Sequence, residues 1–390
     1  MDNKKKVLEL IHGWEEDQLE FLTSLCKQNS YSYHKQGSDR VSALICEKLE
    51  GVFPIHRVVD QKEVGNLHIL KTSEQGKSVY LLGHTDTVFP PDHPFQACRK
   101  EGEWLYGPGT ADMKGGLAVM VYALIALKHV SGDEFPNVAM ILGGDEEIGS
   151  ATSRMIYEQA SKRASACLVG ECAGRNGEIV VSRNGKAGGR METYGRDAHV
   201  GSATQDKASA ILELAQKVTA IESLNGIFPG VRVNVGRIEG GLGPGTIPAH
   251  ASFLFDLRWQ KEKHYTVLLE RVQKIASVKI NPLCSSHMTL LNYRPAMPAN
   301  EKTDRFVYKL RQVAEGLGQN VSIEHRQGTS DGNFFGAEGV PTLDGFGPIG
   351  LDDHTPEERI LISSLKARTS LLALFLLGLK DAELGAEPAP

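Results

Sequence analysis

Leu81-Leu82-Gly83-His84-Thr85-Asp86-Thr87-Val88-Phe89-Pro90 is the stretch on which the reading of this chain turns. The apolar run at 79–82 is short, rich in β-formers and stopped by Gly83, which predicts a buried strand. His84 and Asp86 come where that strand runs out into a loop. Alternate positions along an extended chain point the same way, so the imidazole and the carboxylate can share a face. A histidine on a rigid strand end with a carboxylate beside it suits a metal ligand and the partner that orients it. Alone, a His-x-Asp is more often a polar strand-end turn. The decision rests on what else the chain delivers to the same place.

Working outward, further short apolar runs at 52–59, 67–71, 138–142 and 166–169 predict strands, and the last two end in glycine and an acid. Helical spacing predicts helices at 14–27, at 39–50 with Ser38 or Asp39 as cap, from about 117 to 128, and around 153–162. Strands alternating with helices predict a largely parallel sheet whose site lies at the strand carboxyl ends. The character changes near Val180. Residues 189–195, 231–238, 251–258 and 286–291 alternate apolar and polar, as antiparallel strands with one open face do. Amphipathic helices at about 207–224 and 262–276 lie between them. The first style returns with a helix at 302–316, a strand at 321–324 and a last helix at 356–379. The predicted fold class is therefore α/β, with a catalytic domain (1–182 and 296–390) whose mostly parallel sheet is flanked by helices. It is interrupted by a smaller α+β lid domain, 183–295, with a four-stranded antiparallel sheet and two helices.

At 390 residues the chain is long enough for two domains. A net charge of −5 gives no electrostatic reason to expect nucleic acid or an anionic membrane as partner. No apolar run is expected to reach the ~18 residues of a membrane span. The basic start is followed by Val7-Leu8-Glu9-Leu10 rather than an apolar core, which argues against a signal peptide. The six cysteines, Cys26, Cys46, Cys98, Cys167, Cys172 and Cys284, show no Cys-x-x-Cys spacing. That suggests reduced thiols and a cytoplasmic location. The tail, 385–390, is expected to be disordered.

Behind His84 come Asp112, the Glu146-Glu147 pair, Glu171 and His354, each just after a strand or in a late loop. Histidine and carboxylate together suit Zn²⁺, and a carboxylate can bridge two ions ~3.5–4 Å apart. Asp112, ahead of a helix whose first turns are small, is the natural bridge. Adjacent acids at 146 and 147 must diverge, so one can bind metal while the other acts as base. Singly, each group has a bland reading: a solvated acidic turn for Glu146-Glu147, a capping acid for Glu171, a loop histidine for His354. The glycine-rich run 107–116 lacks the Gly-Lys-Ser/Thr ending of a phosphate loop, and Asp112 would repel phosphate there. The bland readings fail only jointly.

Gly83-His84-Thr85-Asp86-Thr87-Val88, Gly107-Pro108-Gly109-Thr110-Ala111-Asp112-Met113-Lys114-Gly115-Gly116, Gly144-Asp145-Glu146-Glu147-Ile148-Gly149 and Gly170-Glu171 resemble successive motifs of one family. It is the di-zinc family of glutamate carboxypeptidase, acetylornithine deacetylase, succinyl-diaminopimelate desuccinylase and aminoacylase. The resemblance continues through Ala198-His199-Val200-Gly201-Ser202, Asp256-Leu257-Arg258, Gly328-Thr329-Ser330-Asp331-Gly332-Asn333, Pro341-Thr342-Leu343-Asp344-Gly345-Phe346-Gly347 and His354-Thr355-Pro356-Glu357-Glu358. It runs in order over about 10–380, and the last segments look closest to the glutamate carboxypeptidase branch.

The resemblance implies a co-catalytic pair of Zn²⁺ ions, for which Co²⁺ or Mn²⁺ could substitute. His84, Asp112 and Glu171 would hold one ion, and Asp112, Glu147 and His354 the other. Glu146 would be the general base, Asp86 would orient His84, and Met113 would follow a cis peptide. In the lid, Arg258 would grip the free carboxylate of the substrate, His199 would stabilise the oxyanion, and Asn234 would be a further substrate contact. Arg183 and Lys186 could favour an acidic side chain, against the plainer reading of a solvated basic hinge. Most of the other ten histidines read as ordinary surface or core residues. Gly245 stands where the family commonly has Asn, whereas Glu171, in place of Asp, favours the acylase and carboxypeptidase branches. The implied activity is that of a metallo-carboxypeptidase cleaving an amide beside a free α-carboxylate, on N-acyl amino acids or peptides, as a homodimer through the lid. The alternatives are an N-acyl-amino-acid deacetylase of the acetylornithine type and a metal-free binding protein of the same fold. The last predicts a lost ligand or base, and none is lost.

Overall fold

The computed structural model describes residues 3–132, 135–201 and 207–379. The expected disorder of 385–390 and Ser202 of the motif at 198–202 lie outside the described residues. The chain forms two compact units, one of Met1–Ser182, Ala299–Arg326 and Ser330–Pro390, the other of Arg183–Pro298 with Gln327–Thr329.

The first unit is built on a six-stranded sheet. Ser78–His84, Val138–Gly143, Ala164–Val169 and Thr342–Leu343 run parallel. An antiparallel hairpin of Ile55–Val59 and Leu67–Lys71 extends the sheet beyond Val138–Gly143. The parallel strands are apolar throughout because both faces are covered. Val79, Leu81, Met140 and Leu168 join one cluster with Leu117, Val121 and Leu124 of the helix Gly115–Ser131. Tyr80, Leu82, Ile141 and Cys167 join the opposite one with Tyr157, Phe334 and Phe335. The period-two alternation of a strand divides each run between the two layers. All three longer parallel strands aim their carboxyl ends the same way, so the loop after each one is delivered to a common edge.

Several boundaries differ from the sequence-based expectation. The second predicted helix starts at Lys35, not Asp39, and has no side-chain cap. Ser38 lies inside it, hydrogen-bonded to Thr85 at 2.7 Å instead of capping. The last helix spans Ile362–Gly378, not 356–379, because Arg359–Leu361 is a strand paired with Trp104–Tyr106. Asn3–Gly13 is a further helix, and Arg99–Glu101 with Trp104–Tyr106 a short meander; neither was anticipated. The expectation of no span-length apolar run is also corrected. Thr110–Ser131 is long and apolar enough to cross a membrane, but 89% of the window is buried. It is the central core helix, apolar all round because neighbours surround it.

The second unit is a four-stranded antiparallel sheet in the order Arg232–Gly240, His250–Trp259, Gly185–Tyr194, Ser285–Arg294, with the helices Ala210–Glu222 and Glu262–Ser277. Phe253, Phe255, Leu257 and Trp259 pack with Leu214 and Leu268 in its core. Lys217 is buried, and its ammonium caps the second helix through the carbonyls of Ile275 (2.8 Å) and Val278 (2.6 Å). All six cysteines of the chain are free thiols, unbonded to one another.

One close approach sets the spacing between the core helix and the sheet. A Cβ at Gly116 would lie 1.6 Å from the carbonyl oxygen of Gly170, whereas a Cβ at Gly13 meets nothing within 4 Å. Gly116→Ala is therefore expected to destabilise the protein by about 3 kcal/mol, while Gly13→Ala stays within about 0.5 kcal/mol of wild type. Urea denaturation of the two variants checks this; equal midpoints would refute the steric argument.

Candidate metal centre

Each member of the cluster owes its place to a backbone feature. His84 is the last residue of its strand, and its side chain is buried. Two residues after the neighbouring strand Val138–Gly143 comes Asp145, whose carboxylate accepts from the N–H and hydroxyl groups of Thr152 and Ser153. That closes the turn carrying Glu146 and Glu147. Glu171 follows Gly170 at the end of Ala164–Val169. Asp112 lies in an irregular turn, Thr110–Lys114, that enters the core helix, with extended rather than helical backbone at Asp112 itself. Gly109 before it adopts φ +77°, which glycine tolerates without cost. The peptide between Asp112 and Met113 is cis. His354 sits at φ +60° between the short strands Gly350–Leu351 and Arg359–Leu361. An ion pair of Asp352 with Arg359, at 2.6 Å, closes that loop.

These segments bring the side chains together around Asp112. Its Oδ1 is 2.9 Å from His84 Nε2 and its Oδ2 is 3.1 Å from His354 Nε2. Glu171 Oε1 lies 3.7 Å from the same nitrogen of His84, and Glu147 Oε2 lies 3.1 Å from that of His354. His84, Asp112 and Glu147 converge within 4.8 Å, as do Asp112, Asp353 and His354. Asp86 stands behind. Its Oδ1 is 3.3 Å from His84 Nδ1, and its carboxylate accepts the backbone N–H groups of Glu146 and Glu147, both at 3.2 Å. Ser32 Oγ adds a 2.7 Å hydrogen bond.

Proton affinities in the cluster are far from ordinary. Burial disfavours the charged form of His84, yet hydrogen bonds to Asp112 and Asp86 hold its imidazolium well above the usual range. Hydrogen bonds to Asp112 and Glu147 push His354 up to about 11. Burial and then the charge of Asp112 push Glu147 up to about 8 and Glu171 well above a normal carboxyl. Burial opposes ionisation of Asp112 too, but hydrogen bonds from His354 and His84 hold it well below the carboxylate range. The cluster thus retains protons that a divalent cation would displace. The donor set fits such a cation: imidazole nitrogens and carboxylate oxygens only, acids in excess, and Glu147 Oε1 buried without a hydrogen-bond partner among the described residues.

The sequence reading did not foresee three contributors. Glu358, buried, accepts the backbone N–H groups of Gly109 (3.0 Å), Ala111 (2.8 Å) and Asp112 (3.0 Å); burial pushes its carboxyl up to about 7. Ser32 and Asp353 are the others. Only adjacency marked Asp353, in the run Asp352-Asp353-His354. Nothing local marked Ser32, because its role depends on a partner far along the chain.

The remaining candidates lie in the second unit. His199 is exposed on a two-residue strand paired with Thr246, next to a hydrogen bond from the N–H of Val200 to the carbonyl of Gly245. Arg258 Nε donates to Asp256 Oδ1 at 2.6 Å. The register pairs Asn234 with Asp256 and Arg232 with Arg258, and Arg258 with Lys186. Directly opposed residues and their next-but-one neighbours share a face, so Asn234, Arg258, Arg232 and Lys186 form one polar surface of that sheet. Arg183 is not a solvated hinge residue. It is 5% exposed, and its Nη1 donates to the carbonyl of Gly328.

Over 308 residues the chain is 26% identical to carboxypeptidase G2 of Pseudomonas sp. (strain RS-16), covering 78% of this chain and 74% of the relative. It is 31% identical, also over 308 residues, to a succinyl-diaminopimelate desuccinylase of Pseudoalteromonas atlantica, covering 73% of this chain and 79% of the relative. Among solved structures, the YXEP protein of Bacillus subtilis, described as a dinuclear metal binding peptidase from the M20 family, superposes with a TM-score of 0.69. That pair is 15% identical over 94% of this chain and 98% of the other, a likeness of fold. Residues 80–378 match peptidase family M20/M25/M40, and the chain belongs to that family.

Proposed function

We propose that the protein is a zinc-dependent hydrolase that cleaves an amide bond beside a free α-carboxylate, a glutamate-carboxypeptidase-like exopeptidase acting on N-acylated amino acids or peptides. One observation carries this reading: the two oxygens of Asp112 face different imidazoles, at 2.9 and 3.1 Å, each with a second acid beside it. Such a carboxylate is shaped to be shared. His84, Asp112 and Glu171 would hold one Zn²⁺, and Asp112, Glu147 and His354 a second. Bound there, the ions would supply Lewis acidity toward a carbonyl oxygen and acidify water at neutral pH.

The rest is the work of the chain's own groups. Glu146 takes the proton of the attacking water and hands it to the departing nitrogen. Asp86 orients it indirectly, by gripping the N–H groups of Glu146 and Glu147 while it holds His84 Nδ1. Arg258 is the proposed clamp on the free carboxylate, because a guanidinium can meet it with two parallel hydrogen bonds. Asp256 at its Nε fixes the plane of that fork. Asn234, on the same face, is assigned a further substrate contact, and His199 the stabilisation of the oxyanion. Lys186 and Arg232 beside Arg258 make that surface basic, which supports an anionic substrate. The free cysteines support a reducing compartment, the cytoplasm. The same reading includes a homodimer formed through the second unit; a monomeric mass by light scattering at micromolar concentration would remove that part. The desuccinylase relative favours a second reading, an N-acyl-amino-acid deacylase with the same machinery.

Glu146→Gln is expected to lower kcat by ~10²–10⁴-fold while elemental analysis still finds the wild-type metal content. Asp112→Ala is expected to lose both metal and activity. Hydrolysis that survives Glu146→Gln, or that a chelator leaves untouched, would end the reading. For the substrate, release of the C-terminal amino acid from peptidyl- or aroyl-glutamates is expected to outpace deacylation of acetyl- and succinyl-amino acids. The reverse order selects the second reading. Arg258→Ala should cost about 2–3 kcal/mol in kcat/KM, ~30–150-fold, on carboxylate substrates and little on the matching carboxamides. Equal losses on both would show that Arg258 does not bind the carboxylate.

A further inference from the structure

Away from the catalytic cluster, and sharing no residue with it, three more metal-ligating side chains converge. Cys46 lies in the last turn of the helix Lys35–Lys48. His56 and His68 belong to the two strands of the edge hairpin, Ile55–Val59 and Leu67–Lys71. The register pairs Val58 with His68 and His56 with Leu70, so both histidines occupy one face, set diagonally. Leu70, on that face, packs in the same cluster as Ile45, the residue before Cys46. The fold therefore delivers the thiol onto the two imidazoles by ordinary core packing.

The resulting triangle has edges of 2.9 Å (His56 Nε2 to His68 Nδ1), 3.6 Å (Cys46 Sγ to His68 Nδ1) and 3.8 Å (Cys46 Sγ to His56 Nε2). The two rings stack, 26° from parallel with centroids 5.1 Å apart. A hydrogen bond between the imidazoles would account for the shortest edge alone. It gives no reason for the sulfur to lie within reach of both nitrogens. A tetrahedral ion with bonds of ~2.05 Å to nitrogen and ~2.3 Å to sulfur has edges of ~3.3 Å (N–N) and ~3.6 Å (N–S). The observed triangle is within a few tenths of an ångström of that shape. One thiolate and two imidazoles form a borderline-soft set that suits Zn²⁺ or Co²⁺ and disfavours Mg²⁺ and Ca²⁺. His56 is exposed and Cys46 and His68 are half-buried, so water can reach the fourth position.

We propose that Cys46, His56 and His68 form a metal site of their own for a thiophilic divalent ion of the Zn²⁺ class, with water as fourth ligand. The ion staples the end of the helix to the outermost hairpin of the sheet. An edge strand is the part of a sheet most open to fraying and to pairing with another chain, and a cross-link there protects it. On binding, the Cys46 thiol releases its proton to solvent and the thiolate takes up the ion; no oxidation is involved.

The two sites are told apart by sulfur. Co²⁺ added in excess to the metal-depleted full-length protein should produce a near-ultraviolet thiolate-to-metal charge-transfer band whose final amplitude corresponds to one thiolate-bound Co²⁺ per chain. The catalytic cluster, with nitrogen and oxygen donors only, is silent in that region. The band should vanish in Cys46→Ser, weaken by about tenfold or more in apparent affinity in His56→Ala, and persist in Cys172→Ser. Saturating Zn²⁺ should raise the Tm of Cys172→Ser more than that of Cys46→Ser, while hydrolysis by Cys46→Ser matches wild type. His56 is exposed, so its variant keeps the test open should Cys46→Ser fold poorly. Absence of the band, its survival in Cys46→Ser, or its indifference to His56→Ala would overturn the proposal.

Discussion

The carboxylate of Asp112, held between two imidazoles, is the interaction on which the rest of the first unit depends. Burying one charge is costly unless it is matched, and here Asp112, Glu147 and Glu171 gather around the buried His84, while His354, which faces the far oxygen of Asp112, is exposed. Such a group cannot be assembled by side chains searching for each other. It needs backbone fixed in advance, and the surrounding polar contacts do that fixing. Glu358 holds three N–H groups on the approach to Asp112. Asp145 closes the turn before the paired glutamates, and Asp86 grips their N–H groups. Each of these carboxylates is satisfied by backbone donors, which stabilise a carboxylate without adding a competing cation.

The hydrophobic architecture serves the same end at longer range. Parallel strands covered on both faces are held by packing on each side and present their carboxyl ends at one edge. His84, the Glu146-Glu147 turn and Glu171 therefore leave the sheet at one edge, on neighbouring strands. Asp112 arrives from the core helix, whose distance from the sheet is set by the contact between Gly116 and Gly170. A methyl group in that gap would move Asp112 relative to Glu171. Packing and chemistry are coupled through a hydrogen-sized side chain.

How much of this was legible beforehand varies with the range of the cause. Strand-and-helix alternation, the change of style near Val180 and the α/β class come from local periodicity, and the strands came within a few residues of their bounds. The site residues stood out because His84, the Glu146-Glu147 pair and Glu171 follow short apolar runs ended by glycine, while Asp112 opens a helix and His354 sits in a late loop. Boundaries failed where tertiary pairing overrode local signals. Pro356 looks like a helix start, but Arg359–Leu361 is drawn into a strand by Trp104–Tyr106. Ser38 looks like a cap, but Thr85 claims its hydroxyl. The core helix was read too short because its apolar faces lack the contrast that marks an amphipathic one. The roles of Glu358 and Ser32 were invisible because they act on backbone and side chains that only the folded chain brings near.

The reach of Glu358 and His354 also has a temporal side. Both lie beyond the second unit in sequence, so a growing chain exposes His84, Asp112, Glu147 and Glu171 long before the groups that hold the far oxygen and the backbone of Asp112. A polypeptide still attached to the ribosome therefore presents Asp112 before either His354 or the Glu358 carboxylate can reach it.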